Sequence, residues 1–316
     1  MAKPVANILS TEALSPDARR RLETVGRIRV LDPRDEEELC EAVGEAEALL
    51  VRTKTRVTRR VIESAPKLKV IGRGGSGLDN IDVPAAWERG VTVVYTPEAS
   101  TDAVADLTVG LMIAVLRGIA LADAGVRGGR FDEARAACVG PELRGLTLGI
   151  VGMGRIGRAV SSRCHFGFRM AIVYNDILEV EPLPFPAQSH SKEALFERAD
   201  VISVHVPLTD ETRGMIDGRV LAGFKPRAVL INTARGEVVD SVALAEALSE
   251  GRLGGAALDV FDAEPLPANH PLLSAPNTLL TPHIGARTPE SLARMDSVVD
   301  DVIAVLKGRT ARFPAR

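Results

Sequence analysis

Aromatic side chains are scarce in this 316-residue chain: Phe, Tyr and Trp together make up 3%. Single strands of nucleic acid are held by stacking bases on such rings, so that mode of binding has little to work with. Nor does one sign of charge dominate. Lys and Arg number 39 against 42 Asp and Glu, a net charge of −3, which leaves no basic field for a polyanion but allows local sites for a small anion. There are three cysteines, Cys40, Cys138 and Cys164. An odd, sparse set fits free, inert thiols in a reducing compartment rather than a disulfide framework. No apolar run nears the ~20 residues of a membrane span. The opening MAKPVANILS has one Lys and no long apolar stretch, so it does not read as a signal peptide, and the expected location is the cytosol. Spacings such as H-E-x-x-H, paired C-x-x-C or G-x-S-x-G do not occur, which argues against a metal mechanism and against that type of serine nucleophile.

What is present is a regular alternation. Hydrophobic residues form 46% of the chain and charged ones 26%, ordinary values for a globular protein long enough for two domains. Short apolar runs rich in β-formers recur at VANIL (5–9), RIRVL (27–31), ALLV (48–51), LKVIG (68–72) and VTVVY (91–95), separated by Ala/Glu/Arg-rich segments. Such β–α alternation implies a parallel sheet with helices on both faces. The stretch 101–117, TDAVADLTVGLMIAVLR, is too densely apolar for a surface helix and reads as buried between domains. After a polar, Gly-rich segment at 125–145 the alternation resumes at 147–152, 170–174, 201–206, 228–233, 256–261 and 278–282, a second doubly wound sheet. The tail 288–307 reads as a helix, capped by Thr288 with Pro289 at its first position, that returns the chain to the first domain.

Gly152-Met153-Gly154-Arg155-Ile156-Gly157 is G-x-G-x-x-G, directly after an apolar strand and opening a helical pattern. In that context the glycines permit a tight turn, close approach of a pyrophosphate to the backbone, and close helix–strand packing, and the helix N-terminus faces the phosphates. The next strand ends in Asn175-Asp176. An acid there accepts hydrogen bonds from the adenine ribose and repels the extra phosphate of NADP, so the cofactor expected is NAD. Methyltransferases that bind S-adenosylmethionine share a Gly-rich loop and such an acid, and the later strands must separate the two.

Ligands in open α/β sheets bind beyond the carboxyl ends of strands. There the second half places Arg235, Asp259, Glu264 and His283. Reduction of a 2-keto acid needs this inventory. A guanidinium at Arg235 grips the substrate carboxylate in a bidentate fork and polarises the carbonyl. His283 donates the proton and takes it back in the reverse direction. Glu264 orients the imidazole and stabilises its charged form. His205, near another strand end, is expected to line the cofactor cleft, whereas His165, His190 and His270 read as surface or packing residues. In the first half, LKVIG leads into Arg73-Gly74-Gly75-Ser76-Gly77. Backbone amides in such a run face a bound anion, with Ser76 and Gly77 as candidates for the substrate carboxylate. Arg52 and Arg73 both follow strand ends and are candidates to meet a distal phosphate.

At these residues the chain resembles the D-isomer-specific 2-hydroxyacid dehydrogenases over nearly its whole length. GRGGSGLDNID, TLGIVGMGRIGR, VPLTDETRGMI, LINTARGEVVD, AALDVFDAEP and TPHIGA occur in matching order and spacing. The resemblance implies catalytic Arg235, Glu264 and His283. It places Thr233, Ala234 and Asp259 at the nicotinamide end, with Pro207 and Gly285 among the cofactor residues. It also implies a Rossmann dinucleotide-binding domain, residues 99–286, inserted into a flavodoxin-like substrate domain formed by 1–98 and 287–316, and a homodimer built around the dinucleotide domain. Within the family, LLVRTKTRVT and VIGRGGSGLDNID resemble the group that oxidises D-3-phosphoglycerate to 3-phosphohydroxypyruvate in serine biosynthesis. TPEASTDAVADLTVG looks more like glyoxylate/hydroxypyruvate reductases. The chain stops soon after the return helix, so serine feedback through an appended domain is not expected. The Tyr-x-Asp arrangement at 174–176 resembles formate dehydrogenases. A non-enzymatic alternative is a dinucleotide-sensing corepressor, since such proteins share the fold and retain the Arg–Glu–His set.

Overall fold

The computed structural model describes residues 5–315; residues 1–4, which open the N-terminal segment read above, and residue 316 lie outside it. The chain divides into two compact units. One runs to Ser100 and resumes at Arg287; the other is Thr101–Ala286.

The first unit is built on five strands, β1 (Ala6–Ser10), β2 (Gly26–Val30), β3 (Ala48–Val51), β4 (Val70–Arg73) and β5 (Thr92–Tyr95), in the order β2-β1-β3-β4-β5, all parallel. Strands in a parallel sheet are covered on both faces, so they lack the polar alternation of a half-exposed strand. Alternate residues here go to different cores instead. Leu9, Leu49, Val51, Ile71 and Val93 pack on one face, and Ile8, Leu50, Val70 and Val94 on the other. The second core is closed by the returning chain, through Val298, Val299 and Val302 of the helix Val298–Leu306. Each buried valine contributes roughly 1.5–3 kcal/mol relative to exposure, which holds a nine-residue helix that would fray alone. The tail expected as one helix is two, Pro289–Asp296 and Val298–Leu306. Thr288 caps the first by accepting from Ser291 N at 3.1 Å, and Ser297 marks the break, its hydroxyl donating back to Arg294 O at 2.7 Å.

The second unit carries β6 (Thr147–Val151), β7 (Ala171–Asn175), β8 (Gln188–Ser189), β9 (Val201–Val204), β10 (Val229–Asn232), β11 (Gly255–Leu258) and β12 (Thr278–Leu280). Their order is β12-β11-β10-β9-β6-β7-β8, again all parallel. This is the Rossmann order with one additional edge strand, β12, and the order reverses between β6 and β9, where such sheets open a crevice at their carboxyl ends. The apolar helix Thr101–Leu116 buries Ala105, Leu111, Met112 and Val115 in a core shared with Leu148, Ile150 and Ile231. The segment read as polar and Gly-rich takes in the last turn of the helix Ile119–Arg127 and all of the helix Phe131–Ala137. Among the described residues no single helix is long and apolar enough to cross a membrane; the bent pair Thr101–Leu116 and Ile119–Arg127 passes that test by length and composition only.

Candidate active site

Gly152 follows β6 with φ +95°, and a Cβ there would lie 2.7 Å from His205 O, so the turn and the end of β9 meet at the point where strand order reverses. A Cβ on Gly157 would overlap Gly152 O, whereas one on Gly154 would meet nothing within 4 Å. The three glycines therefore differ in purpose: two are needed for the fold itself, and Gly154 keeps an open space clear. Gly154 also caps the helix Arg155–Phe168, in which Ile156 is half-buried, without a side-chain hydrogen bond. Many other helices of the chain are capped by Ser, Thr or Asp, among them Ser15, Asp35, Thr288 and Asp240. An uncapped 14-residue helix beside an open backbone cradle fits the pyrophosphate of a dinucleotide.

Asp176 is turned toward this loop. Its Oδ2 accepts from Met153 N–H at 2.7 Å and its Oδ1 from Leu178 N–H at 2.9 Å, which ties the end of β7 to the glycine turn and leaves each oxygen a further lone pair for a ribose hydroxyl. Asn175 serves a different contact, its amide donating to His190 O at 2.8 Å. His205, just past β9, extends the sheet by donating from its backbone N–H to Val151 O at 2.8 Å. Its Nε2 lies 2.9 Å from Ser203 Oγ, and burial pushes the imidazole down to about 3. Pro207 is exposed, and its carbonyl accepts from Thr212 Oγ1 at 2.7 Å. Thr233, 8% exposed, pairs its hydroxyl with Thr108 Oγ1 at 2.9 Å.

Three loops beyond β10, β11 and β12 carry the remaining candidates. Asn232 shapes the first: its amide donates to Arg235 O at 2.8 Å and its Oδ1 accepts from Ala234 N–H at 3.0 Å. Arg235 Nη1 donates to Ala234 O at 2.6 Å. The following Gly236 has no room for a Cβ, which would overlap the Phe261 backbone. That close approach brings the Arg235 loop onto the loop that holds Glu264. Phe261 N–H donates to Glu264 Oε1 at 3.2 Å, and His283 Nδ1 lies 2.9 Å from Glu264 Oε2 and 3.1 Å from Oε1. Partial burial pushes the Glu264 carboxyl up. The hydrogen bond and charge of His283, the Phe261 amide and the Arg235 charge outweigh it, so the group sits below the usual carboxylate range. Glu264 therefore remains an ionised acceptor, which fixes the bonded imidazole nitrogen as the N–H donor. Asp259 is 1% exposed and binds the loop of His283, including Gly285 N–H at 2.7 Å. Sequence reading missed Asn232 and Thr281 as supports. An Asn at a strand end before a loop is a recognisable turn former, but nothing local marks Thr281.

The four substrate-side candidates lie in the other unit. Arg73 is 4% exposed and donates to Gly74 O at 3.1 Å and Thr53 Oγ1 at 3.2 Å. Arg52 lies one residue past β3, whose last residue Val51 is paired with Arg73. The Arg52 guanidinium, the candidate for a distal phosphate, is paired with Asp296 Oδ1 at 2.8 Å, with Glu12 Oε2 at 3.8 Å. Ser76 is exposed, its hydroxyl 3.5 Å from Ser100 Oγ, and Gly77 is half-buried beside it. Among the described residues no group of three or more His, Cys, Asp or Glu could hold a metal ion.

Residues 109–285 match the family model of the D-isomer specific 2-hydroxyacid dehydrogenase NAD binding domain. The chain is 45% identical over 315 residues to a D-3-phosphoglycerate dehydrogenase of Methanocaldococcus jannaschii, covering 97% of this chain and 59% of that protein. It is 45% identical over 282 residues to a glyoxylate reductase of Thermofilum pendens, covering 87% and 83%. A crystal structure of a protein from Thermus thermophilus superposes with a TM-score of 0.90 at 40% identity, over 98% of this chain and all of that one. The chain thus spans about three fifths of the length of the first of these relatives. Glycine turn, strand-end loops and sequence agree, and the chain belongs to the D-isomer specific 2-hydroxyacid dehydrogenase family.

Proposed function

We propose that the protein is a nicotinamide-dinucleotide-dependent D-2-hydroxyacid dehydrogenase, with NAD as the cofactor and Arg235, Glu264 and His283 as the catalytic set. The observation that carries this reading is the His283–Glu264 contact at 2.9 Å, with Arg235 close enough to lower the same carboxyl. The glycine turn and helix N-terminus hold the dinucleotide phosphates, Asp176 the ribose, and the ends of β9, β10 and β11 the nicotinamide end. Bound there, the nicotinamide supplies a two-electron acceptor or donor at the substrate C2. Arg235 grips the substrate carboxylate with its planar fork. Glu264 holds His283 Nδ1–H, so Nε2 is the atom that exchanges the proton with the C2 oxygen. In oxidation it takes the hydroxyl proton, and in reduction it returns it. Ser76 and Gly77, on the other unit, are this reading's further substrate residues. The cytosolic setting is supported by three free cysteines, with the Cys164 thiol pushed up by burial to about 12 and hence unreactive.

For the substrate, the first reading is D-3-phosphoglycerate, with Arg52, just past β3, and Arg73, at the end of β4, as the candidate contacts for its phosphate. A second reading, reduction of glyoxylate or hydroxypyruvate, is favoured by the pairing of Arg52 with Asp296 and Glu12, which offsets the charge that a phosphate dianion needs. A panel of these acids followed by NADH absorbance separates the two. If phosphoglycerate is the substrate, replacing both Arg52 and Arg73 by Gln raises its KM far more than that of an unphosphorylated analogue. Equal effects on both reject the phosphate reading. The proposal includes a homodimer, supported by the apolar side chains of Ile119, Leu121, Phe131 and Val139 exposed on the dinucleotide unit.

A further inference from the structure

Asp259 lies one residue past β11 and is almost completely enclosed. Its carboxylate is bound by a single loop. Thr281 Oγ1 donates to Oδ1 at 2.6 Å, Ile284 N–H to Oδ1 at 2.9 Å, and Gly285 N–H to Oδ2 at 2.7 Å. The main chain adds to the grip: the Asp259 carbonyl accepts from His283 N–H at 2.9 Å, while Asp259 N–H donates to Asn232 O at 2.9 Å. At the centre of this loop His283 has φ +52°, a left-handed conformation that side-chain-bearing residues seldom adopt and that persists only where neighbours over-determine it. The groups that over-determine it are those that Asp259 gathers.

We infer that Asp259 is a positioning residue, whose carboxylate holds residues 281–285 in the left-handed turn that sets the His283 imidazole against Glu264. The inference rests on the reading of His283 as the acid–base group and gives Asp259 a role distinct from contact with the nicotinamide. A carboxylate oxygen accepts about two hydrogen bonds. Oδ1 already has two and Oδ2 one, so a cofactor contact is confined to the remaining position on Oδ2 and leaves the grip intact. The same Asp259 amide links this loop to Asn232, the residue that shapes the Arg235 loop, so the acid–base group and the carboxylate fork share one anchored strand end.

The test uses Asp259→Asn and Thr281→Val, the second of which removes one donor and leaves Asp259 and His283 in place. An Asn presents an NH2 to one of the donors that the carboxylate accepted. Expected for Asp259→Asn is a loss in kcat of about 10²-fold, the scale of a misplaced catalytic group. Thr281→Val gives a smaller loss in the same direction, and Thr281→Ser restores it. In Thr281→Val, which keeps the Asp259 carboxylate, the dissociation constant of NADH, read by fluorescence, stays within about threefold. In the cofactor-free protein, amide exchange at Ile284 and Gly285 quickens by roughly tenfold or more in both loss variants, as a released loop requires. His283→Ala alone lowers kcat by about 10²–10⁴. Adding Asp259→Asn to it then costs little more, because groups acting as a unit are not additive. Unchanged exchange, a full multiplicative loss in the His283→Ala background, or weakened NADH binding large enough to account for the whole effect would each overturn the inference. A near-normal kcat in His283→Ala defeats the acid–base reading itself, while the exchange data still decide whether Asp259 holds the loop.

Discussion

A side chain's neighbours decide its chemistry, and His205 illustrates this at the scale of one residue. Two positions apart on an extended strand, Ser203 and His205 share a face, and their contact at 2.9 Å follows from that spacing. What the sequence does not convey is that Nδ1 is buried without a hydrogen-bond partner among the described residues. Enclosure disfavours the charged imidazole and lowers it from the ordinary value of 6.5 to about 3. The unfolded chain therefore gains a proton below about pH 6.5 that the folded chain refuses. Stability is complete above that pH, and as the pH falls toward 3 this group removes about 1.4 kcal/mol per pH unit. Urea unfolding at pH 7.5 and 5 should show a larger acid loss in the wild type than in His205→Asn. Identical pH dependence would show that the imidazole is not held neutral. Arg52 shows the same dependence on surroundings. Its strand-end position is evident in the sequence, but its partner Asp296 is 244 residues away and reaches it only by the return of the chain.

At the scale of elements, most strands were legible because they are short apolar runs bounded by polar or glycine residues; the two-residue edge strand Gln188–Ser189 was not, since it is polar and exposed and only its pairing with β7 makes it a strand. The observed bounds differ from the expected ones by a few residues: the run 201–206 ends as a strand at Val204, and the 256–261 run at Leu258. Glycine misled the reading of 125–145. Gly125 lowers helix propensity, yet the structure places it where its missing Cβ lets the helix Ile119–Arg127 pack on Ala134 of the next helix. Tertiary contact outweighs the ~1 kcal/mol cost of a helical glycine. The glycine turn yields a prediction at this scale. Gly154→Ala adds a methyl into open space, so the melting temperature without cofactor stays unchanged while NADH affinity falls by about tenfold or more, the methyl standing where a phosphate approaches. Gly157→Ala forces a methyl onto Gly152 O and should lower the melting temperature itself, by several degrees for a cost of about 1–3 kcal/mol. Calorimetry with and without NADH distinguishes these outcomes, and equal destabilisation by both would contradict the separate roles of the two glycines.

At the scale of the whole molecule, the exposed apolar side chains of residues 119–139 concern association. Phe131 is 59% and Val139 87% exposed, among other apolar neighbours, and clustered apolar exposure of this kind marks an interaction surface. Sedimentation at micromolar concentration should give a dimer for the wild type, and replacing Leu121 and Phe131 together by Glu should give a monomer that remains folded. A monomeric wild type would remove the homodimer from the proposal.

The amino-acid sequence by itself determined the alternation of strands and helices, the glycine turn with its downstream acid, and which residues stand at strand ends, because periodicity and turn chemistry are local. Only the tertiary structure decided that Gly236 brings the Arg235 loop against the Glu264 loop, that Asp259 holds the left-handed turn at His283, and that Asp296 claims Arg52. Those outcomes depend on which segments, far apart along the chain, are packed too closely for any other arrangement, and no local pattern records that.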